Sequence, residues 1–255
     1  IITNIGKAHL EGFESFEGVK RTKNELFNYI RETGGMVFLN NDDEMLKKLS
    51  TDIKSIKYGK SGDIVGEELP SSIFSELIYN GNKISSHLIG DYQFYNIMLA
   101  ICVADYFNIK EKNIINAIKS YKPVNNRSQV IESKNNLIIL DAYNANPTSM
   151  TLAIKSFNKS DLKNKILILG DMYELGKEED KFHQEIIDYC ESLVIDRVFL
   201  IGEIFSKTSF TEKFISCKNY KELLDNKDFK NIINSNLLIK GSRGMQLEKI
   251  VDFIS

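Results

Sequence analysis

Cysteine is scarce in this 255-residue sequence, where Cys102, Cys190 and Cys217 are an odd number, far apart, in apolar or amphipathic segments. Such spacing argues against a disulfide frame or a zinc site and reads as reduced core thiols of a cytoplasmic protein. No apolar run approaches bilayer length and no signal peptide opens the chain, so membrane insertion is not expected. Neither sign of charge is in excess. The net charge is −2 and the pI about 6.0, which leaves no basic footprint for nucleic acid or an anionic membrane. Internal repeats and low-complexity blocks are absent. So is a G-x-x-x-x-G-K-S/T loop: KSGDIVG and KGSRG lack the spacing and the Lys-Ser/Thr pair that a phosphate cradle needs. Finally, IITNIG has no initiator Met and no polar lead-in, and it reads as a strand already under way. The expectation is a fragment.

What is present is ordinary for a globular protein: 42% hydrophobic and 27% charged residues, at a length that suits one large or two modest domains. From about residue 130 the apolar runs NLIIL, KILILG, DRVFLIG, FISC and NLLIKG alternate with helical stretches at 147–157, 178–192, 203–208, 219–234 and 245–254. This alternation predicts an α/β fold with a mainly parallel sheet. The first half is mixed. A helix is expected over 15–33, then the strand MVFL, a short helix capped by Asp42 or Asp43, strands near 53–58, 73–79 and 83–89, and helices at 91–107 and 111–120. The polar stretch YKPVNNRSQV separates the patterns and sets expected domains at 1–125 and 126–255.

Three polar clusters follow apolar runs. In LIILDAYNANPTSM, Asp141, Asn144 and Asn146 stand at a strand end, ahead of Pro147, one of only three prolines. Such a cluster is either a helix-capping turn or a set of ligand groups at the mouth of a sheet. LGDMYELG places Asp171 and Glu174 after KILILG, with His183 on the following amphipathic helix, where a structural role competes with a substrate-side one. KGSRGM puts Lys240 and Arg243 around Ser242, cations suited to a carboxylate or merely to a solvated turn.

Lys23 interrupts the apolar stripe Val19, Leu26, Phe27 and Ile30 of the first long helix. A lysine there either snorkels to water or, with a lowered pKa, becomes a nucleophilic amine able to take up carbon dioxide as a carbamate. With His9 earlier in the chain, that derivative would make a magnesium site.

ITNIGKAHLEGF followed by TKNELF resembles the central domain of the Mur ligases, and NRSQ, DAYNANPTSM, LGDMYELG and KGSRGM continue the match in order. The resemblance spans nearly the whole chain and is narrowest to the branch that joins D-alanyl-D-alanine to UDP-MurNAc-tripeptide. It implies a partial central ATPase domain lacking its P-loop portion, then a Rossmann-like C-terminal domain, in a monomeric enzyme of peptidoglycan synthesis. By the same resemblance ATP and Mg2+ are cofactors, with His9 and a carbamylated Lys23 holding the metal. Gln93 and Asn96, in GDYQFYN, would meet adenine, although Tyr92 and Gln93 stand where relatives carry His and Asn. Arg127 would approach the phosphates, Asp141 the ribose, and Asn144 and Asn146 the reaction centre. Lys240, Ser242 and Arg243 would take the dipeptide carboxylate, with Asp171, Glu174 and His183 also on the substrate side. Without the P-loop the chain is expected to be inactive by itself. Two other readings stay open: a non-catalytic binding module derived from a ligase, and another Mur-type or folylpolyglutamate-type amide ligase.

Overall fold

The hydroxyl of Ser15 accepts the Gly18 N–H at 3.1 Å and so starts the first long helix at the next residue. The computed structural model describes residues 1–70, 73–133 and 135–254, and the chain divides into two compact units, Ile1–Lys122 and Pro123–Ser255.

In the first unit a short helix α1 (Leu10–Phe13) precedes α2 (Phe16–Thr33). The strand expected at IITNIG is not formed. A strand needs a hydrogen-bonded neighbour, and β1 (Met36–Asn40) pairs with β2 (Lys54–Gly59) instead. Ile2 drops into a core with Phe27, Val37, Leu39, Leu46 and Ile53. Asp43, not Asp42, caps α3 (Glu44–Leu49), accepting the N–H groups of Met45 and Leu46 at 3.0 Å each. The sheet continues through β3 (Ile64–Leu69), β4 (Phe74–Tyr79) and β5 (Asn82–Ile89) in the order β1-β2-β3-β4-β5, parallel at first and antiparallel from β3 onward. Strand β3 was not expected, because IVGEEL carries a glycine and two glutamates, residues depleted in strands. Helix α4 (Gln93–Tyr106) buries Phe94, Ile97, Met98 and Ile101 against the sheet, and α5 (Glu111–Ser120) adds Ile114.

The second unit opens with β6 (Gln129–Glu132), an edge strand antiparallel to β7 (Asn136–Asp141). Then follow α6 (Pro147–Lys159), β8 (Lys165–Gly170), α7 (Glu179–Glu191), β9 (Arg197–Ile201), β10 (Phe214–Cys217), α8 (Tyr220–Asp225), α9 (Lys227–Lys230) and β11 (Ser235–Lys240). The sheet order is β10-β9-β8-β11-β7-β6, parallel except for β6. Every residue of β8 is buried, as a central parallel strand covered on both faces requires. The single helix expected over 219–234 is broken at Asn226, whose extended backbone and side chain cap α9 by accepting from Asp228 and Phe229 N–H groups. The expected helices at 203–208 and 245–254 are 3-10 turns, Phe205–Lys207 and Leu247–Phe253.

All three cysteines are buried and free, and burial pushes the Cys190 thiol up to about 12 and those of Cys102 and Cys217 to about 11. No helix among the described residues is long and apolar enough to cross a membrane.

Candidate functional site

Strand β11 lies between β7 and β8, so the C-terminal ends of three parallel strands lie side by side, and open α/β sheets hold ligands outside such ends. Register sets Lys240 directly beside Asp141. The Asp141 carboxylate accepts the Lys240 ammonium at 2.5 Å on Oδ2 and the Ser128 N–H at 3.0 Å on Oδ1. To deliver that N–H, Asn125, Asn126 and Ser128 all take left-handed backbone conformations, common for asparagine and costly for serine. Between them Arg127 reaches outward, and its guanidinium stacks 3.6 Å above the Tyr143 ring.

The capping reading holds for one residue of this cluster. Asn146 is a cap: its side chain accepts the Ser149 N–H at 2.9 Å while the Ser149 hydroxyl accepts the Asn146 N–H at 3.1 Å, with Pro147 opening α6. Asn144 is exposed, although its side-chain oxygen accepts the Ala145 N–H. Asp141 stays partly exposed at the strand end, and the Arg127 side chain is exposed.

At the end of β8 the picture is structural. Asp171 is 3% exposed, and its two oxygens accept the N–H groups of Ile204 at 3.0 Å and Phe205 at 2.9 Å. Gly202, at φ +137°, permits this: a Cβ there would stand 2.1 Å from the Asp171 carboxyl carbon. His183 is fully buried, and its Nδ1 faces the Glu179 carbonyl at 2.7 Å while Nε2 receives the Met172 N–H at 2.9 Å. One nitrogen must donate and the other must accept, so the ring is the neutral Nδ1–H tautomer. Asp171 and His183 are therefore not presented to a substrate; burial spends their polar atoms on the backbone. Ser242 is buried as well, accepting the Tyr173 N–H at 2.9 Å and donating its own N–H to the Asp171 carbonyl. Glu174, in a left-handed conformation, is exposed.

The cations of KGSRGM part company. Lys240 is only 2% exposed and committed to Asp141 and to the Asn144 carbonyl at 3.2 Å, because register points it inward. Arg243 keeps its side chain 61% exposed, with a loose approach of 3.9 Å to Glu248. Of the two, only Arg243 is open to a ligand carboxylate.

In the first unit Lys23 is half-buried, donates to the Asn4 carbonyl at 3.0 Å, and has its pKa lowered by burial. Leu26, expected in the same stripe, is exposed; Val19 and Phe27 carry the packing. His9 is exposed in a left-handed turn before α1. Gln93 and Asn96 meet on the first turn of α4, the Asn96 amide donating to Gln93 Oε1 at 2.8 Å. No group of three His, Cys, Asp or Glu side chains among the described residues is placed to hold a metal.

The model of the Mur ligase middle domain matches residues 1–104, and that of the Mur ligase glutamate ligase domain matches residues 126–235. The chain belongs to the Mur ligase family. Among curated Mur ligases it is 31% identical over 270 residues to the UDP-N-acetylmuramoyl-tripeptide–D-alanyl-D-alanine ligase of Bacillus subtilis, covering 98% of this chain and 58% of that protein. The chain thus spans little more than half the length of that relative. Its fold matches MurF of Acinetobacter baumannii, at a TM-score of 0.80 and 23% identity over 98% of this chain and 58% of the other. The MurF ligase of Thermotoga maritima, solved in complex with ADP, gives a TM-score of 0.80 and 24% identity over 98% and 60%.

Sequence reasoning missed two groups of the cluster around Asp141, namely Tyr143 and Ser128. Tyr143 stands within DAYNAN, where an aromatic two residues past Asp141 was the available signal. Ser128 had none, since only its backbone acts.

The buried His183 sets a pH dependence on this Mur ligase fold. Burial lowers its pKa below 6.5, outweighing the nearby Asp171, Glu179 and Asp180 charges that raise it. The unfolded chain therefore binds the proton first. Stability is full above about 6.5 and falls as the pH drops below it, by up to about 1.4 kcal/mol per pH unit. Asp171, its pKa raised above 3.8 by burial, acts with the opposite sign. Urea unfolding at pH 7.5 and 5.5 should show a loss in the parent that His183→Gln lacks. Equal losses in both would remove His183 as the cause.

Proposed function

We propose that this chain works within an ATP-dependent ligase that joins D-alanyl-D-alanine to UDP-MurNAc-tripeptide in peptidoglycan synthesis. The observation that carries this reading is identity running through 98% of the chain to a ligase so named. The ADP found in a fold neighbour supports nucleotide use. In the reaction the γ-phosphoryl group moves to the terminal carboxylate of the tripeptide, releasing ADP. The dipeptide amine then attacks the carbonyl carbon of the acyl phosphate, loses a proton, and expels phosphate as the amide forms. Such chemistry rests on positioning and charge stabilisation more than on covalent help from the protein.

Residues of the chain divide that work. Asp141 accepts the ribose hydroxyls, and Arg127, held by Tyr143 but free at its edges, reaches the phosphates. Gln93 and Asn96 offer amides to the adenine edge. Arg243 takes the dipeptide carboxylate, for which its exposure suits it. Asn144, exposed in the same loop as Asp141, faces the reaction centre. His9 and Lys23 are the donors for Mg2+, and their chemistry fits: an exposed imidazole and an amine whose lowered pKa favours carbamylation. Bound there, the metal would offset charge gathered between phosphates and carboxylate.

Phosphate release by the full-length protein that requires all three substrates tests the reaction; release without the dipeptide would overturn the ligase reading. Asp141→Ala should weaken ATP binding about tenfold to a hundredfold, the worth of a charge-assisted hydrogen bond, while the KM for D-alanyl-D-alanine stays put. A raised dipeptide KM with ATP unaffected would reverse the assignment.

A further inference from the structure

We infer that Lys240 is a positioning residue that fixes Asp141 as a two-oxygen acceptor for the vicinal hydroxyls of a nucleoside ribose. The inference rests on the ribose reading of Asp141 given above.

The two residues lie 99 positions apart, and only the register of β11 against β7 makes them neighbours. An ionised carboxylate offers about four acceptor directions, two on each oxygen. Here one direction on Oδ2 is taken by the Lys240 ammonium and one on Oδ1 by the Ser128 N–H. One direction remains on each oxygen, and the Asp141 side chain keeps 16% of its surface exposed while that of Lys240 keeps 3%. A cis-diol, with two adjacent hydroxyl donors, fills that remaining pair. Bonds on both oxygens also stop the carboxylate from turning about its last torsion. A ligand then meets a group already oriented, with less freedom left to lose on binding.

Packing alone does not account for a lysine at this position. The residues before it on β11, Leu237, Leu238 and Ile239, are buried and apolar. A buried ammonium pays a desolvation cost that an ion pair repays only with good geometry and further hydrogen bonds, and an apolar side chain usually packs as stably. Lys240 spends its charge on one carboxylate at the crevice and its second bond on the Asn144 carbonyl in the loop that follows. Both contacts hold the β7 end, and neither faces outward. Its role is exerted through Asp141, which distinguishes it from Arg243.

The test is ribose discrimination, which a general loss of stability does not change selectively. Binding of ADP, 2′-deoxy-ADP and 3′-deoxy-ADP with Mg2+ is measured by calorimetry on the full-length protein and on Asp141→Asn, Lys240→Met, Lys240→Gln and Lys249→Met. The parent should prefer ADP over each deoxynucleotide by about tenfold. Asp141→Asn and Lys240→Met should both bring that ratio close to one, and Lys249→Met, a control for net charge, should keep the parent ratio. If Lys240→Met does not fold, Lys240→Gln is read in the same assay and should lose most of the preference. A folded Lys240 variant that keeps the parent ratio, while Asp141→Asn loses it, overturns the inference and leaves the ribose reading intact. A parent without discrimination, or an Asp141→Asn variant that retains it, sinks the ribose reading itself.

Discussion

Replacing Lys23 by alanine should cut the ligation rate of the full-length protein by about a hundredfold or more, a loss on the scale of removing one preorganised electrostatic contact. The amine sits half-buried on α2, and its desolvation lowers the pKa, which raises the share of neutral amine that can add carbon dioxide. The carbamate would keep one N–H on the same nitrogen, so the bond to the Asn4 carbonyl at 3.0 Å can survive the modification. Lys23→Arg should fare no better than alanine, because the guanidinium stays cationic and forms no carbamate. A high concentration of a short carboxylic acid should restore part of the activity of the alanine variant. Carbon-13 NMR after exposure to labelled bicarbonate gives a check independent of turnover: a carbamate resonance in the parent and none in the variants. Full activity in Lys23→Ala would be fatal to the idea.

Gly202→Ala should cost about 4 kcal/mol, the largest stability effect of any substitution considered for this chain. Its backbone, at φ +137°, is one that L side chains rarely adopt, a strain worth about 1–3 kcal/mol. The new Cβ would also stand 2.1 Å from the Asp171 carboxyl carbon, forcing that side chain off the N–H groups of Ile204 and Phe205. Each buried polar group left without a partner adds about 1–3 kcal/mol. Gly81→Ala separates the two causes. Its φ of +75° is also left-handed, but nothing lies within 4 Å, so about 1 kcal/mol is expected. Urea unfolding measures both; similar losses at the two sites would remove the Asp171 clash from the account.

These effects show which parts of the molecule were legible from sequence. KILILG announced itself as a strand because a continuous apolar run is what a doubly covered parallel strand requires. IVGEEL did not, since its acidic residues masked a strand specified by its neighbours. Asp141 was readable as a strand-end carboxylate, but its partner was not. Nothing local links position 141 to position 240; register does. His183 illustrates the intermediate case. It falls three and four residues before Ile186 and Ile187 on the buried side of α7, so helical spacing already favoured an interior histidine over a substrate ligand.

The central place of β11 bears on how the second unit can assemble. Strands β7 and β8 follow one another in the chain, yet they share no ladder; each pairs with β11, which is made last. During synthesis the halves β6-β7 and β8-β9-β10 must therefore wait with open inner edges until residues 235–240 leave the ribosome and insert between them. Long-range pairing of this kind makes folding slow and leaves apolar edges exposed meanwhile. A nascent chain stalled before β11 would lack the middle of its sheet, not a margin. Lys240 arrives on that same strand, so the insertion that closes the core also delivers the cation to Asp141.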